Sequence, residues 1–279
     1  MNELPNLPSS NKKRKWFKWV KILIIIYCVI GIVLYYLQDY ILFHPQKLAQ
    51  DYIFHFDKPF EEINIPVNGM DTINVIKFFP KNGVRRGVVL YFHGNRRNVE
   101  RYAVYADNFT KNGYEVWMED YPGYGKSSGE RTEEKLYEQA LQVQKMAAAK
   151  YNTDSIIIFG KSLGTGIAAY VASVTACKKL ILETPYYSIP DIFSSYGGFI
   201  YPLQKIIRYK IPTWQFLQDV KAPVTILHGT SDWVIPYRCA EKLRKYLKPG
   251  DEFITIEGGV HNNLNDFKIF HTKLDSLLQ

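Results

Sequence analysis

The residues most suited to chemistry form a short turn bounded by glycines, Gly160-Lys161-Ser162-Leu163-Gly164. A β-branched apolar run, 155–159, precedes this turn, and a small-residue run typical of a helix follows it. This is the G-x-S-x-G pattern in the strand–turn–helix order that it requires. Glycines let the strand and the helix approach closely while the serine hydroxyl stays exposed. The pattern predicts a nucleophilic serine at Ser162.

A phosphate-binding loop is the obvious alternative, because Gly160-Lys161-Ser162 also resembles the end of G-x-x-x-x-G-K-[ST]. That motif needs glycine at position 155, where this chain has Ser155. Gly125-Lys126-Ser127 fails in the same way, since Asp120 stands where the first glycine belongs. The sequence also has no G-x-G-x-x-G after a strand, so nucleotide and redox-cofactor binding are both disfavoured.

A serine hydroxyl needs a base to take its proton and a third group to orient that base. His261 follows the last predicted strand, and two preceding glycines allow its loop to turn back over Ser162, so we predict His261 as the general base. Asp232, in the loop after another predicted strand, is predicted to orient His261. Glu183, at the end of the preceding strand, is the rival acid.

The tetrahedral oxyanion of such a reaction needs backbone N–H donors. One is predicted at Leu163, directly after the serine, and the other at Asn95 in the loop His93-Gly94-Asn95. We expect Gly94 to let that loop turn its amides toward the pocket, and His93 to hold its own loop rather than react. Gly94, Tyr121 and Tyr186 are predicted to contact substrate.

The elements that must position these residues alternate along the chain. Eight strand-like runs are predicted at 61–67, 72–79, 87–92, 114–119, 155–159, 179–183, 224–228 and 252–256. Helical runs at 97–112, 132–150, 164–176 and 237–247 lie between them. Asn68-Gly69 predicts a hairpin between the first two strands. The sequence therefore predicts an α/β fold with a mostly parallel eight-stranded sheet and helices on both faces.

The stretch of about 40 residues between Glu183 and Val224 has no predicted strand and is rich in aromatic residues. A structureless loop of this length is uncommon inside a compact domain, so we predict a small helical cap or lid at about 186–218. An extra surface helix with its flanking loops is the alternative.

The net charge of +8 comes mainly from the N-terminus. Residues 1–21 hold six basic side chains against Glu3, which leaves a charge of only +3 on the other 258 residues. This distribution disfavours nucleic-acid binding by the folded body. Cys28, Cys177 and Cys239 form no C-x-x-C and no Cys/His cluster, so no metal site is predicted.

The basic tail leads into a long apolar run that contains no charge over residues 22–37. We predict a cytoplasmic tail at 1–18, a transmembrane helix at 19–37, a membrane-proximal connector at 38–60 and the main domain at 61–279. A cleaved signal peptide is the alternative, but no A-x-A-like site follows the apolar run. The positive-inside rule places the main domain on the non-cytoplasmic side of the membrane, which the chain is predicted to span once.

Taken together, the motifs resemble the α/β-hydrolase superfamily over residues 60–279. The likeness depends on 93–95, Asp120-Tyr121-Pro122-Gly123-Tyr124-Gly125, Gly160–Gly164, Gly229–Asp232 and His261. With the N-terminal span, the chain looks like the single-span, membrane-anchored branch near serine-aminopeptidase and monoglyceride-lipase-like hydrolases. The resemblance implies a Ser162–Asp232–His261 triad and acyl transfer to water without metal or organic cofactor.

Three functions remain open from the sequence. The first is a membrane-anchored serine hydrolase that cleaves an ester, lipid-like or otherwise, through an acyl-enzyme. The second is an aminopeptidase-like amide or thioester hydrolase, in which Glu183 would bind a substrate amine. The third is a catalytically silent, membrane-tethered binding or scaffold protein, because one fold can carry unrelated functions.

Overall fold

The fold is built on an eight-stranded sheet in a computed structural model that describes residues 10–67, 69, 71–196 and 202–279. Its strands are β1 Phe60–Val67, β2 Asp71–Phe78, β3 Gly87–Phe92, β4 Tyr114–Glu119, β5 Ile156–Lys161, β6 Lys179–Glu183, β7 Val224–Gly229 and β8 Glu252–Ile256. The spatial order is β1-β2-β4-β3-β5-β6-β7-β8. β1 pairs antiparallel with β2 and β2 with β4, and the other pairings are parallel. The predicted mostly parallel sheet is confirmed.

Helices connect and flank the strands. They are α1 Ser10–Leu42, α2 Val99–Tyr102, α3 Asp107–Thr110, α4 Glu133–Ala148, α5 Gly164–Val174, α6 Ile189–Ser195, α7 Leu203–Ile206, α8 Thr213–Asp219, α9 Tyr237–Glu241 and α10 Lys268–Leu277. Thr132 caps α4 by accepting the Lys135 N–H at 3.2 Å, and Glu133 and Glu134 complement the positive end of its dipole.

Both faces of the sheet are covered, because successive side chains of a strand point to opposite faces and every residue of β3, β4 and β5 is buried. On one face, Tyr91 and Phe159 join a core with Phe109 of α3 and Phe270 of α10. The ring centroids of Tyr91 and Phe159 lie 4.8 Å apart. This core fixes the strand ends from which the polar loops emerge.

Two helices differ from the sequence prediction. The run 97–112 forms α2, a 3₁₀ segment at Ala103–Ala106 and α3, rather than one helix. Valine and tyrosine are weak helix formers. The N–H of Val99, the first residue of α2, has no partner within the helix and donates to the buried Asp120 carboxylate at 2.8 Å. The run 237–247 likewise passes from α9 into a 3₁₀ segment at Lys242–Tyr246.

The predicted cap contains α6, α7 and α8, while its residues 197–201 lie outside the described residues. α8 belongs to the helical layer rather than standing apart from it. Its Phe216 ring lies 5.3 Å from that of Tyr170 on α5. Residues 68 and 70 of the predicted hairpin turn also lie outside the described residues, although the strands it joins pair as predicted.

The chain divides into two compact units, residues 1–42 and 43–279. In the first unit, the stretch Arg14–Leu42 of α1 is long and apolar enough to cross a membrane, by length and composition. The helix extends beyond the predicted span 19–37 at both ends. The second unit holds the sheet and all predicted site residues.

Candidate active site

Ser162 occupies a sharp turn between β5 and α5. Its φ of 53° lies in the left-handed region, which a non-glycine residue adopts only when the surrounding structure enforces it. The N–H of Ser162 donates to the carbonyl of Glu183 at 2.9 Å, and this bond ties the turn to the end of β6. The strained turn presents the hydroxyl at the carboxyl edge of the sheet.

The two glycines of the motif are needed because strand and helix come very close. A Cβ at Gly160 would lie 2.5 Å from the carbonyl oxygen of Gly164, and a Cβ at Gly164 would lie 2.1 Å from that of Phe92. Real Cβ atoms do not approach backbone oxygens this closely, so any side chain would push α5 away from the sheet. Both glycines are therefore needed for the close approach of strand and helix, as the sequence motif predicted.

Three of the predicted residues form one hydrogen-bonded row. His261 Nε2 lies 2.8 Å from Ser162 Oγ, and His261 Nδ1 lies 2.8 Å from Asp232 Oδ2. In the neutral ring with its proton on Nδ1, the imidazole donates to Asp232 and accepts from the serine hydroxyl. All three side chains are buried, with residue exposures of 8%, 5% and 6% for Ser162, Asp232 and His261. This is the arrangement in which a histidine takes a proton from serine.

Backbone groups hold the Asp232 loop and the His261 loop together. The backbone N–H groups of Val234 and Ile235 each donate to Asp232 Oδ1 at 2.8 Å, which leaves Oδ2 for the imidazole. The Ser231 N–H donates to the carbonyl of Gly259 at 2.9 Å and so joins the loop after β7 to the loop after β8. The carboxylate orientation is fixed by this network.

Glu183, the rival acid, lies in a different contact. Its carboxylate forms a hydrogen-bonded ion pair with Lys161, the neighbouring residue in the β5–β6 register. The side-chain exposures of Lys161 and Glu183 are 3% and 2%. The structure brings Asp232, not Glu183, to His261.

A second histidine lies beside the acid. His228 is fully buried in β7, its Nδ1 donates to the carbonyl of Gly229 at 3.0 Å, and its Nε2 lies 3.8 Å from Asp232 Oδ2. Burial lowers the pKa of His228 because it disfavours the imidazolium, and the nearby Asp232 charge opposes that shift. The sequence marked His228 only as a strand residue, and no local signal placed it at the acid.

This lowered pKa predicts a pH effect on stability. The unfolded chain protonates His228 near pH 6.5, whereas the folded chain keeps it neutral to lower pH, so the folded state loses stability as the pH falls below about 6.5. In His228→Gln this loss is absent. As the pH is lowered from 7.5 to 5.5, the free energy of unfolding of the variant should therefore approach or exceed that of wild type, as measured by urea denaturation in detergent. The exposed His55, changed to glutamine, is the control, and an equal pH slope for wild type and His228→Gln would contradict the prediction.

The two predicted oxyanion donors are the backbone N–H groups of Leu163 and Asn95. In each case the carbonyl of the same peptide group accepts hydrogen bonds from another residue. Thr165 donates to the Ser162 carbonyl through its N–H at 2.9 Å and its hydroxyl at 2.6 Å. His93 Nδ1 donates to the Gly94 carbonyl at 2.6 Å. Since C=O and N–H of one trans peptide point in opposite directions, these bonds aim the N–H groups of Leu163 and Asn95 away from those partners. Leu163 also stands at the positive N-terminal end of α5.

Gly94 lies against the nucleophile, because a Cβ on it would be 3.5 Å from Ser162 Cβ. Tyr121 and Tyr186 instead lie behind the site, fully buried. The Tyr121 hydroxyl donates to the His93 carbonyl at 2.6 Å, and the Tyr186 hydroxyl donates to the Leu163 carbonyl at 3.0 Å. This placement fits a role for both tyrosines in holding the two loops better than the substrate contact predicted from the sequence.

The strand order, the strained serine turn and the loops after β7 and β8 define the α/β-hydrolase fold, and the comparisons support the α/β-hydrolase superfamily. Residues 83–218 match the family model described as serine aminopeptidase, S33. Within the described part of the chain, no group of three or more His, Cys, Asp or Glu side chains could hold a metal ion.

Similar proteins come from distant organisms. An uncharacterized protein of Mycobacterium tuberculosis is 26% identical over 189 residues, 67% of this chain and 67% of its own length. Alpha/beta hydrolase domain-containing protein 17C of Xenopus tropicalis is 29% identical over 203 residues, 70% of this chain and 61% of its own length. The esterase Pf2001 of Pyrococcus furiosus superposes with a TM-score of 0.62 at 15% identity, covering 85% of this chain and 97% of that structure. These likenesses support a hydrolase.

Proposed function

We propose that this protein is a membrane-anchored serine hydrolase that cleaves an ester bond through an acyl-enzyme. The observation that carries the proposal is the Asp232–His261–Ser162 row, with both hydrogen bonds at 2.8 Å. The Pyrococcus furiosus neighbour is an esterase, which supports the choice of an ester over other acyl bonds.

The proposed reaction has two halves. His261 Nε2 takes the hydroxyl proton as Ser162 Oγ attacks the acyl carbon, and Asp232 holds the imidazolium that forms. The N–H groups of Leu163 and Asn95 bind the negative oxygen of the tetrahedral intermediate. His261 then gives the proton to the leaving alcohol, and water repeats the sequence on the acyl-enzyme to release the acid.

The aminopeptidase-like alternative requires an acidic group for a substrate amine. Glu183 was the sequence candidate, but its side chain is 2% exposed and paired with Lys161. With Glu183 buried and paired in this way, the ester is the better-supported substrate. A thioester or amide remains an outcome of the substrate test.

Membrane anchoring is part of the proposal and depends on α1. The stretch Arg14–Leu42 has the length and composition of a membrane span, and basic residues precede it in the sequence. A retained span with this charge bias puts the N-terminus in the cytoplasm and the hydrolase unit on the other side.

The test uses membranes from cells that express the full chain. We expect wild type to remain in the pellet after alkaline carbonate extraction and to react with a fluorophosphonate probe, whereas Ser162→Ala stays in the pellet unlabelled. p-Nitrophenyl esters of increasing acyl length, with matched thioester and anilide substrates, then identify the preferred bond. Folded wild-type protein that neither labels nor hydrolyses any of them would favour the silent scaffold. A charged, membrane-impermeant probe should label intact cells, and labelling only after permeabilisation would reverse the orientation.

A further inference from the structure

The hydroxyl of Tyr102 lies at the edge of the site, beside the loop 93–95. Tyr102 is the last residue of α2, and only 5% of the residue is exposed. Its ring stacks on His93, with centroids 4.9 Å apart and planes 19° from parallel. The ring position is therefore fixed by the same histidine that orients the Gly94–Asn95 peptide.

Gly94 brings the Tyr102 hydroxyl close to the nucleophile, because any side chain at this position would collide with that hydroxyl. The position that a Cβ on Gly94 would take is 2.8 Å from Tyr102 Oη and 3.5 Å from Ser162 Cβ. The backbone N–H of Arg96 donates to the same Oη at 3.4 Å. The hydroxyl thus lies next to the loop that carries the predicted donor Asn95.

The Tyr102 hydroxyl is a donor at neutral pH. Burial raises the pKa of Tyr102 to about 12, so the phenol keeps its proton. Its oxygen accepts from the Arg96 N–H and from the Arg101 side chain. Among residues 10–67, 69, 71–196 and 202–279, no acceptor for the hydroxyl proton is found, and a buried donor without an acceptor is unfavourable. A substrate oxygen beside Ser162 would satisfy it.

We infer that Tyr102 donates a third hydrogen bond to the substrate oxygen that becomes negative when Ser162 attacks, alongside the N–H groups of Leu163 and Asn95. The carbonyl π electrons move onto that oxygen as the Oγ–C bond forms, and Tyr102 keeps its proton throughout. The inference rests on the proposed function, because it assigns a donor to the same acyl transfer.

The variant Tyr102→Phe tests this, since it removes the hydroxyl and keeps the ring stacked on His93. We expect kcat on the best p-nitrophenyl ester to fall by about 10²-fold with KM unchanged, which is typical of losing one oxyanion donor. The Ki of a trifluoromethyl ketone, which forms the same tetrahedral adduct, should rise by the same factor. Tyr105→Phe, whose ring centroid is 6.5 Å from that of Tyr102, is the matched control and should behave as wild type.

Equal kcat and equal ketone Ki for Tyr102→Phe and wild type would overturn the inference. A change in KM alone, with Ki unchanged, would also overturn it, because the hydroxyl would then contact only the bound substrate. The rate constant for fluorophosphonate labelling gives a readout that needs no known substrate, and it should fall in Tyr102→Phe. An unreactive wild type would count against both the proposed function and Tyr102, whereas a reactive wild type with an unchanged Tyr102→Phe rate would count against Tyr102 alone.

Discussion

Replacing Ser162 or His261 by alanine should lower kcat for ester hydrolysis by about 10⁶-fold, to the rate set by substrate binding and the oxyanion donors alone. The reason is that the two side chains act as one unit across the 2.8 Å contact between Ser162 Oγ and His261 Nε2. Without the base the hydroxyl keeps its proton, and without the hydroxyl the base has nothing to activate. Steady-state kinetics on purified protein in detergent measure the loss.

The double variant gives a sharper check of the same unit. Ser162→Ala/His261→Ala should be no slower than either single variant, because removing one member already removes the function of both. Asp232→Asn should cost less, about 10⁴-fold, since it disturbs the orientation of the imidazole but leaves nucleophile and base in place. If the kcat losses of the two single variants multiplied in the double variant, or if Asp232→Asn were as active as wild type, these residues would work independently.

Replacing Lys161 by methionine should lower the free energy of unfolding by about 3–5 kcal/mol, because it leaves the Glu183 carboxylate buried without its cation. Lys161 ends β5 directly before the nucleophile turn, and Glu183 ends β6 beside it. A charge taken out of water is stabilised only by its partner, so removing one partner is far more harmful than removing both. Urea denaturation of the full chain in detergent gives the difference.

The matched control is Lys161→Met/Glu183→Leu, which removes both charges and should recover most of the lost stability. Glu183→Gln separates the pair from the triad, since it should lower stability while the folded fraction, counted by probe labelling, keeps most of its activity. If Glu183→Gln instead lost activity as Asp232→Asn is expected to, at unchanged stability, Glu183 would be the acid that orients His261.

The sequence by itself determined the sheet and the neighbourhood of the site. Strand–turn–helix patterning around Ser162 is local, and the contact that requires Gly160 lies within the same turn, whereas the contact that requires Gly164 comes from Phe92 on β3. Asp232 and His261 were found from their positions after predicted strands, since the carboxyl ends of parallel strands lie along one edge of a sheet. The apolar run of α1 is likewise a property of consecutive residues.

Only the tertiary structure decided which side chains meet. Glu183 ends β6 and Asp232 lies in the loop after β7. The strand register pairs Glu183 with Lys161, and two backbone N–H groups orient Asp232, whose other oxygen contacts His261. The Tyr102 hydroxyl lies beside Gly94, a contact between α2 and the loop after β3 that no sequence pattern predicted. Tyr121 and Tyr186 were predicted to contact substrate, but their hydroxyls donate to backbone carbonyls behind the site. Local sequence patterns report periodicity and turn chemistry, whereas hydrogen bonds between distant loops depend on side-chain directions that exist only once the strands are paired.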